Sequence, residues 1–271
     1  PYPSLLDGEL PLSDISFLLP LTIRHITQTQ AVLFFELSQP AAGYLLYQEK
    51  PAEGVGAMQA VTLAASETRH QVVLDGLTPG AEYLALVALE DGQGGFSQPA
   101  FLGDAPWGSV RLRTLSGQAP LRVAVFGDAS FGDSSTEALM QRMAGLELDF
   151  VIETGDIVAE IHENKDPVEA YALKFYQTLS PLLHRTPVYT VMGNHDYDAA
   201  ARWQDSYYYY HAFPAFPDPL FPERQVADKN QFYAVDAGDI QFIFLDTQAI
   251  FGMGGREQQD AWIEERLADE R

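Results

Sequence analysis

The sequence predicts two architectures in succession: an all-β sandwich followed by an α/β domain. Short β-rich segments, separated by clusters of Pro, Gly, Gln and Asp, fill residues 21–114 at the spacing typical of a sandwich. From residue 121 onward, apolar strands alternate with helical patterns, which predicts an α/β sheet. Three of these strands end in glycine followed by side chains that can bind metal. We therefore expect the chemistry to lie in the second half of the chain.

The sandwich is predicted to follow an extended N-terminal segment, because residues 1–20 are rich in Pro and Leu and show no clear period. A linker at 115–120, rich in polar and small residues, should separate it from the second domain at 121–271. The candidate strands of the sandwich are Ile23–Ile26, Ala31–Leu37, Gly43–Gln48, Gln59–Ala64, His70–Leu74, Tyr83–Leu89 and Val110–Arg113.

One stretch of the predicted sandwich, from His70 to Tyr83, resembles the corner between strands E and F of a fibronectin type III domain. In that corner a leucine, here Leu77, fills the core, and a tyrosine hydroxyl, here that of Tyr83, bonds back to the backbone. A structural role suits this tyrosine, because a buried ring with a satisfied hydroxyl is its usual use. The resemblance implies a fibronectin III-like sandwich.

The second domain is predicted to contain three buried strands, at residues 121–126, 150–154 and 187–192. A hairpin is expected where Phe232–Asp236 and Ile240–Leu245 flank a short turn. The candidate helices are Ser135–Leu146, Val168–Leu183 and Glu257–Arg271, and a further segment, Ala199–Phe213, follows the third strand.

Each of the three buried strands delivers polar residues just past its carboxyl end. These blocks are Gly127-Asp128, Gly155-Asp156 and Gly193-Asn194-His195-Asp196. In open α/β sheets, ligands bind outside the carboxyl ends of the strands. Carboxylate, amide and imidazole groups together suit ions such as Zn, Mn or Fe. The sequence therefore predicts a metal site at one edge of the sheet.

The three blocks, in this order, resemble the first three signature blocks of the calcineurin-like metallophosphoesterases, and the resemblance runs from about Leu121 to the end of the chain. The preceding sandwich makes the chain most similar to the purple acid phosphatase branch. This resemblance implies an α/β metallophosphoesterase domain that hydrolyses phosphoric esters of small molecules. It also implies a metal-activated water at a dinuclear centre of two divalent or trivalent ions, namely Fe, Zn or Mn, with Ca or Mg also open.

The resemblance carries roles over to five residues. Asp156 corresponds to the ligand that bridges the two ions, Asp128 to a ligand of one ion, and Asn194 to a ligand of the other. His195 corresponds to a catalytic histidine beside the metals that protonates the leaving group or stabilises the transition state. Asp196 is grouped with it as a residue that orients the imidazole or holds the loop.

The sequence departs from the family pattern at several places. Purple acid phosphatases have an iron-binding tyrosine at the position of Ala159, and other members have a histidine at the position of Ser130. The two later family blocks, which carry three metal-binding histidines, do not occur, and no histidine follows His211. We expect a C-terminal continuation or a separate cleaved chain to supply these histidines. The alternative is a non-catalytic binding or adhesion module derived from a phosphatase that lost its metal site.

The composition limits the partners. A net charge of −22, from 38 acidic and 16 basic residues, argues against binding to nucleic-acid backbone, which requires a basic surface. Because the chain has no cysteine, a metal must be held by oxygen and nitrogen donors. No apolar run is long enough to span a bilayer. We expect a secreted or periplasmic location, although the given chain shows no signal peptide.

Overall fold

The computed structural model describes residues 10–50, 56–101, 108–118, 120–128, 134–158, 167–196, 213, 232–247 and 256–268. The strands are β1 (Leu12–Ile26), β2 (Gln30–Leu37), β3 (Gly43–Glu49), β4 (Met58–Thr62), β5 (Arg69–Asp75), β6 (Glu82–Glu90), β7 (Phe96–Ala100), β8 (Ser109–Arg113), β9 (Val123–Phe126), β10 (Phe150–Glu153), β11 (Val188–Thr190), β12 (Tyr233–Ala237) and β13 (Ile240–Phe244). The α-helices are α1 (Ser134–Ala144), α2 (Pro167–Tyr171), α3 (Ser180–Leu183) and α4 (Arg256–Ala268).

The chain divides into two compact units. The first consists of Pro1–Ala124, Glu137–Val151 and Tyr176–Tyr189, and the second of Val125–Thr136, Ile152–Phe175 and Thr190–Arg271. Among the described residues, no helix combines the length and apolar character needed to cross a membrane.

The first unit contains a β-rich region in which eight strands are joined by hydrogen bonds. Their order is β4-β3-β6-β7-β1-β2-β5, and β8 pairs with β6. Strand β1 links two groups of strands, because it pairs in parallel with β7 near Leu12 and antiparallel with β2 from Phe17 to Ile26. Register shifts along β1 mark irregularities of the kind that bend a strand and let it serve both groups. Strand β1 begins at Leu12, inside residues 1–20, which were predicted to form an extended N-terminal segment.

The predicted strands of this region are confirmed; burial alternates along β5 and β8, whereas β2 is buried along nearly its whole length. Along β5, His70, Val72 and Leu74 are buried while the residues between them are exposed. Strand β7 was not predicted. It contains Ser97-Gln98-Pro99, and proline cannot donate to a sheet, so the pattern there favours a loop.

The structure confirms the predicted tyrosine corner. Tyr83 and Leu77 are both buried. The Tyr83 hydroxyl accepts a hydrogen bond from the backbone N–H of Thr78 at 2.8 Å and donates to the Glu49 carboxylate at 3.0 Å. The ring therefore fills the core while its hydroxyl both accepts and donates a hydrogen bond.

Replacing Tyr83 with phenylalanine should lower the free energy of unfolding by about 1–3 kcal/mol, because the Thr78 N–H loses its acceptor at a part-buried site. The measurement is urea unfolding followed by circular dichroism. Tyr47→Phe is the matched control, since its hydroxyl donates to Gln59, an exposed side chain whose lost bond water can replace. Equal losses in the two variants would contradict the corner role.

The second architecture begins with a three-stranded sheet of order β11-β10-β9. The Thr154 N–H donates to the carbonyl of Phe126 at 2.8 Å, and the Val191 N–H donates to the carbonyl of Glu153 at 3.1 Å. Bonds nearer the start of each strand join correspondingly earlier residues, so the strands are parallel. Their carboxyl ends, where the three blocks follow, therefore share one edge.

Most of the remaining predicted elements are confirmed. Strands β12 and β13 form the expected hairpin, paired from Tyr233 with Phe244 to Ala237 with Ile240. The continuous helix predicted at 168–183 is wrong: α2 passes into a π-helical segment at Ala172–Gln177, and α3 starts anew with a proline in its first turn. Proline lacks the N–H that a continuous helix needs but fits a helix start. The segment Ala199–Phe213 lies outside the described residues except for Phe213.

Candidate metal centre

The first two blocks have the same unusual backbone. Asp128 and Asp156 have φ angles of 52° and 58°, whereas most residues other than glycine have negative φ. The blocks are joined directly, because the Asp128 N–H donates to the carbonyl of Gly155 at 2.9 Å. Asp128 is exposed and Asp156 is half-buried. Strained residues of this kind cluster at functional sites, where the surrounding structure holds them in place.

Two glycines allow the second and third blocks to approach closely. Gly155 has a φ of 104°, a conformation that side chains disfavour. A Cβ atom added to Gly193 would collide with the side-chain and backbone atoms of Asp156, including its Cγ at 2.7 Å. Both glycines are therefore required by the space between the two blocks.

The third block forms a 3₁₀ turn at Asn194–Asp196. The backbone N–H of His195 donates to Oδ1 of Asp156 at 2.9 Å. Asn194 is exposed, His195 is half-buried, and Asp196 is buried. The structure thus brings Asp156 against the third block, and it leaves the side chains of Asp128 and Asn194 open to solvent.

Asp196 fastens the second block to the third. Its carboxylate is 2% exposed and accepts hydrogen bonds from four backbone N–H groups and one hydroxyl. The donors are the N–H groups of Gly193 and Asp156 at 2.9 Å, Ile157 at 3.1 Å and Val158 at 3.3 Å, and the hydroxyl of Tyr171 at 3.3 Å. Successive N–H groups that converge in this way form a nest for an anion. Here the anion is one of the protein's own side chains.

A second acidic side chain, Glu153 at the end of β10, is fully buried next to this nest. One of its oxygens accepts a hydrogen bond from the N–H of Gly155 at 3.1 Å. Burial and, to a smaller extent, the charge of Asp196 raise the pKa of Glu153 well above its ordinary value, which favours the protonated form.

Asp196 differs in its protonation. Burial raises the pKa of Asp196 to about 6, while the hydrogen bonds from Gly193, Ile157 and Val158 act in the opposite direction. At neutral pH the Asp196 carboxylate is therefore mostly ionised. The Asp196 carboxylate, held by five donors, thus lies beside the Glu153 carboxyl group, whose pKa is raised well above its ordinary value.

The candidate metal ligands have the chemical groups that a metal ion requires. Two carboxylates and an amide, from Asp128, Asp156 and Asn194, supply oxygen atoms that suit divalent and trivalent cations. In number they fall short of two complete sites, because open catalytic sites use about three protein ligands for each ion. Within the described ranges, no group of three His, Cys, Asp or Glu side chains is arranged to hold a metal ion. A complete centre therefore needs further ligands.

Sequence reasoning did not single out Glu153 or Tyr171. An acid at the end of an apolar strand is the one signal that points to Glu153, because a buried carboxyl group is costly without a specific partner. Nothing in the sequence marks Tyr171, which the fold brings to Asp196 from α2. Ser130 and Ala159, the positions at which the sequence departs from the family pattern, lie outside the described residues.

Comparison with known proteins identifies a matching family. Residues 121–270 match the calcineurin-like phosphoesterase family. No curated protein matches the chain.

Several solved structures resemble part of the chain. An FN3 domain of human collagen XX is 16% identical, covers 42% of this chain and 99% of its own, and has a TM-score of 0.27. The FN5 domain of Drosophila Lar is 11% identical, covers 36% and 92%, and has a TM-score of 0.28. A structure described as a myokine is 19% identical, covers 37% and 96%, and also has a TM-score of 0.28. Likenesses this weak carry no argument about this chain.

The family match includes all three blocks and spans more than half of the 271 residues. It also covers the parallel strands whose ends carry these blocks. The chain therefore belongs to the calcineurin-like phosphoesterase family.

Proposed function

We propose that this protein hydrolyses phosphoric esters in a metal-dependent reaction at the edge formed by the three blocks. The observation that carries the proposal is the pair Asp128 and Asp156, which follow two parallel strands in the same strained conformation. A carboxylate that only caps a loop does not need this conformation. A role in placing two carboxylates together at one edge of the sheet would explain it. Membership of the family supports the same reaction class.

The proposed centre would hold two ions. Asp156 would serve as a ligand to both, and Asp128 and Asn194 would each serve as a ligand to one. When bound, the ions would neutralise charge on the phosphate and lower the pKa of bound water. The hydrogen bond from the His195 N–H fixes one oxygen of Asp156 and so orients its carboxylate.

We assign different tasks to the two last residues of the third block. His195 is half-buried beside Asp156, where its imidazole can serve as the acid that protonates the leaving group. Asp196 is a positioning residue, because its buried carboxylate is occupied by five donors from the loops and α2. Of the two roles expected from the sequence, this geometry favours holding the loop.

The substrate we propose is a phosphorylated small molecule. We further propose that the chain is similar to the purple acid phosphatase branch of the family and that its N-terminal region is fibronectin III-like. The net charge of −22 repels phosphate at long range. Binding must therefore depend on local positive charge, which the metal ions supply. Substrate affinity should fall steeply when the metal is removed.

His195→Ala should lower turnover of p-nitrophenyl phosphate by about 10²–10⁴-fold and leave the metal content unchanged, because only a proton donor is lost. Turnover is followed by absorbance and metal content by elemental analysis of the same sample. His195→Gln should behave like the alanine variant, since glutamine cannot transfer the proton. Equal losses of metal and turnover would instead make His195 a metal ligand.

A further inference from the structure

Two buried carboxyl groups hold four consecutive backbone N–H groups at the second block. Asp196 accepts from residues 156–158, and Glu153 accepts from Gly155. The side chain of Glu153 is completely buried, and its second oxygen has no hydrogen-bond partner among the residues that the structure describes. Burying such a group costs stability, so its presence at this position calls for a function.

The N–H that Glu153 holds belongs to the first residue of a strained turn. Gly155 and Asp156 have consecutive positive φ angles of 104° and 58°. Such a turn persists only where the surroundings fix it from several sides. Gly155 is buried, so water is a poor substitute for the acceptor of its N–H, and loss of that acceptor would favour a different path of the chain. Asp196 alone does not reach this first N–H, because its donors in the loop after β10 begin at Asp156.

We propose that Glu153 is a positioning residue for the metal-binding carboxylate of Asp156. By accepting the Gly155 N–H, it fixes the turn that presents Asp156 at the edge of the sheet. This assignment rests on the proposed function in one respect, namely that Asp156 binds metal. It extends that function to a completely buried side chain that acts on Asp156 through the turn.

The surroundings of Glu153 indicate which substitutions discriminate. Asp196 and Asp156 both act on it electrostatically, so a further negative charge is unfavourable there. A neutral group that keeps one acceptor can form the same hydrogen bond with the Gly155 N–H. Glutamine offers this arrangement in the same shape, whereas methionine has a similar length and lacks a comparable acceptor. The pair Glu153→Gln and Glu153→Met therefore separates hydrogen bonding from packing.

The test is isothermal titration calorimetry of Mn²⁺ and Zn²⁺ into metal-free protein. Glu153→Gln should bind within about threefold of the wild type, and Glu153→Met should bind about 10–100-fold more weakly, as is typical when a group supporting a ligand is lost. Glu264→Met, an exposed glutamate on α4, is the control and should bind like the wild type. Wild-type affinity in Glu153→Met, or an equal loss in both Glu153 variants, would overturn the proposal.

A second readout does not depend on metal. Hydrogen exchange of the Gly155 amide, measured by NMR in metal-free protein, should be slow in the wild type and in Glu153→Gln and faster in Glu153→Met. If the wild type binds neither ion, the proposed function fails, and this exchange still decides whether Glu153 holds the turn. If Glu153→Met does not fold, rapid exchange in the wild type would itself overturn the assignment.

Discussion

Replacing Asp156 with asparagine should remove most of the bound metal and lower phosphate-ester hydrolysis by about three orders of magnitude or more. The amide keeps the shape and can still accept the hydrogen bond from the His195 N–H. It lacks the negative charge that two cations need between them. Loss of several kcal/mol of charge stabilisation corresponds to this factor, since each 1.4 kcal/mol is about tenfold in rate.

Elemental analysis and turnover of the same Asp156→Asn sample provide the measurement. Asp239→Asn is the matched control, because Asp239 is an exposed acid in the turn between β12 and β13. The control should retain both metal and activity. A fully folded Asp156→Asn variant with unchanged metal content would remove Asp156 from the bridging position.

Asp196→Ala should have the largest effect on stability. It leaves four backbone N–H groups and the Tyr171 hydroxyl without their acceptor at a site that is almost entirely buried. Each unsatisfied buried group costs about 1–3 kcal/mol, and water entering the space offsets part of the sum. We therefore expect a loss of about 3–5 kcal/mol, which is at the upper end for a single substitution.

Urea unfolding of metal-free protein measures this loss without interference from bound ions. Asp260→Ala serves as the control, because Asp260 is an exposed residue of α4 that forms a surface ion pair with Arg256. Its effect should stay within about 0.5 kcal/mol. If Asp196→Ala remains as stable as the control and loses turnover alone, Asp196 acts on the substrate or metal rather than on the loops.

The strands of the fold could be predicted because apolar runs and alternation report which faces are buried. This information also located the carboxyl ends of three strands, and with them Asp128, Asp156 and the third block. The pattern of apolar and polar residues did not predict the structure where proline interrupts a strand, as in β7, or begins a new helix, as in α3. The Ser180-Pro181 pair is a sequence signal for the start of a new helix, and it divides the range predicted as one helix.

The supporting residues of the site could not be predicted in the same way. Whether Glu153 is buried depends on what packs over the strand end, and a periodic pattern carries no information about that. Tyr171 reaches Asp196 only through the fold, across 25 positions of sequence. Ligand types can thus be recognised from local motifs, whereas the supporting groups depend on burial, as at Glu153, or on contacts between distant parts of the chain, as at Tyr171.

The most direct test is phosphate-ester hydrolysis by protein that has been stripped of metal with a chelator, before and after addition of Zn, Mn or Fe ions. A member of the family with the proposed centre should release no p-nitrophenol without metal and regain activity with at least one of these ions. Release at the untreated rate by metal-free protein would contradict a metal-dependent reaction. No release with any of the ions, before or after stripping, would contradict hydrolysis itself and favour a non-catalytic binding module.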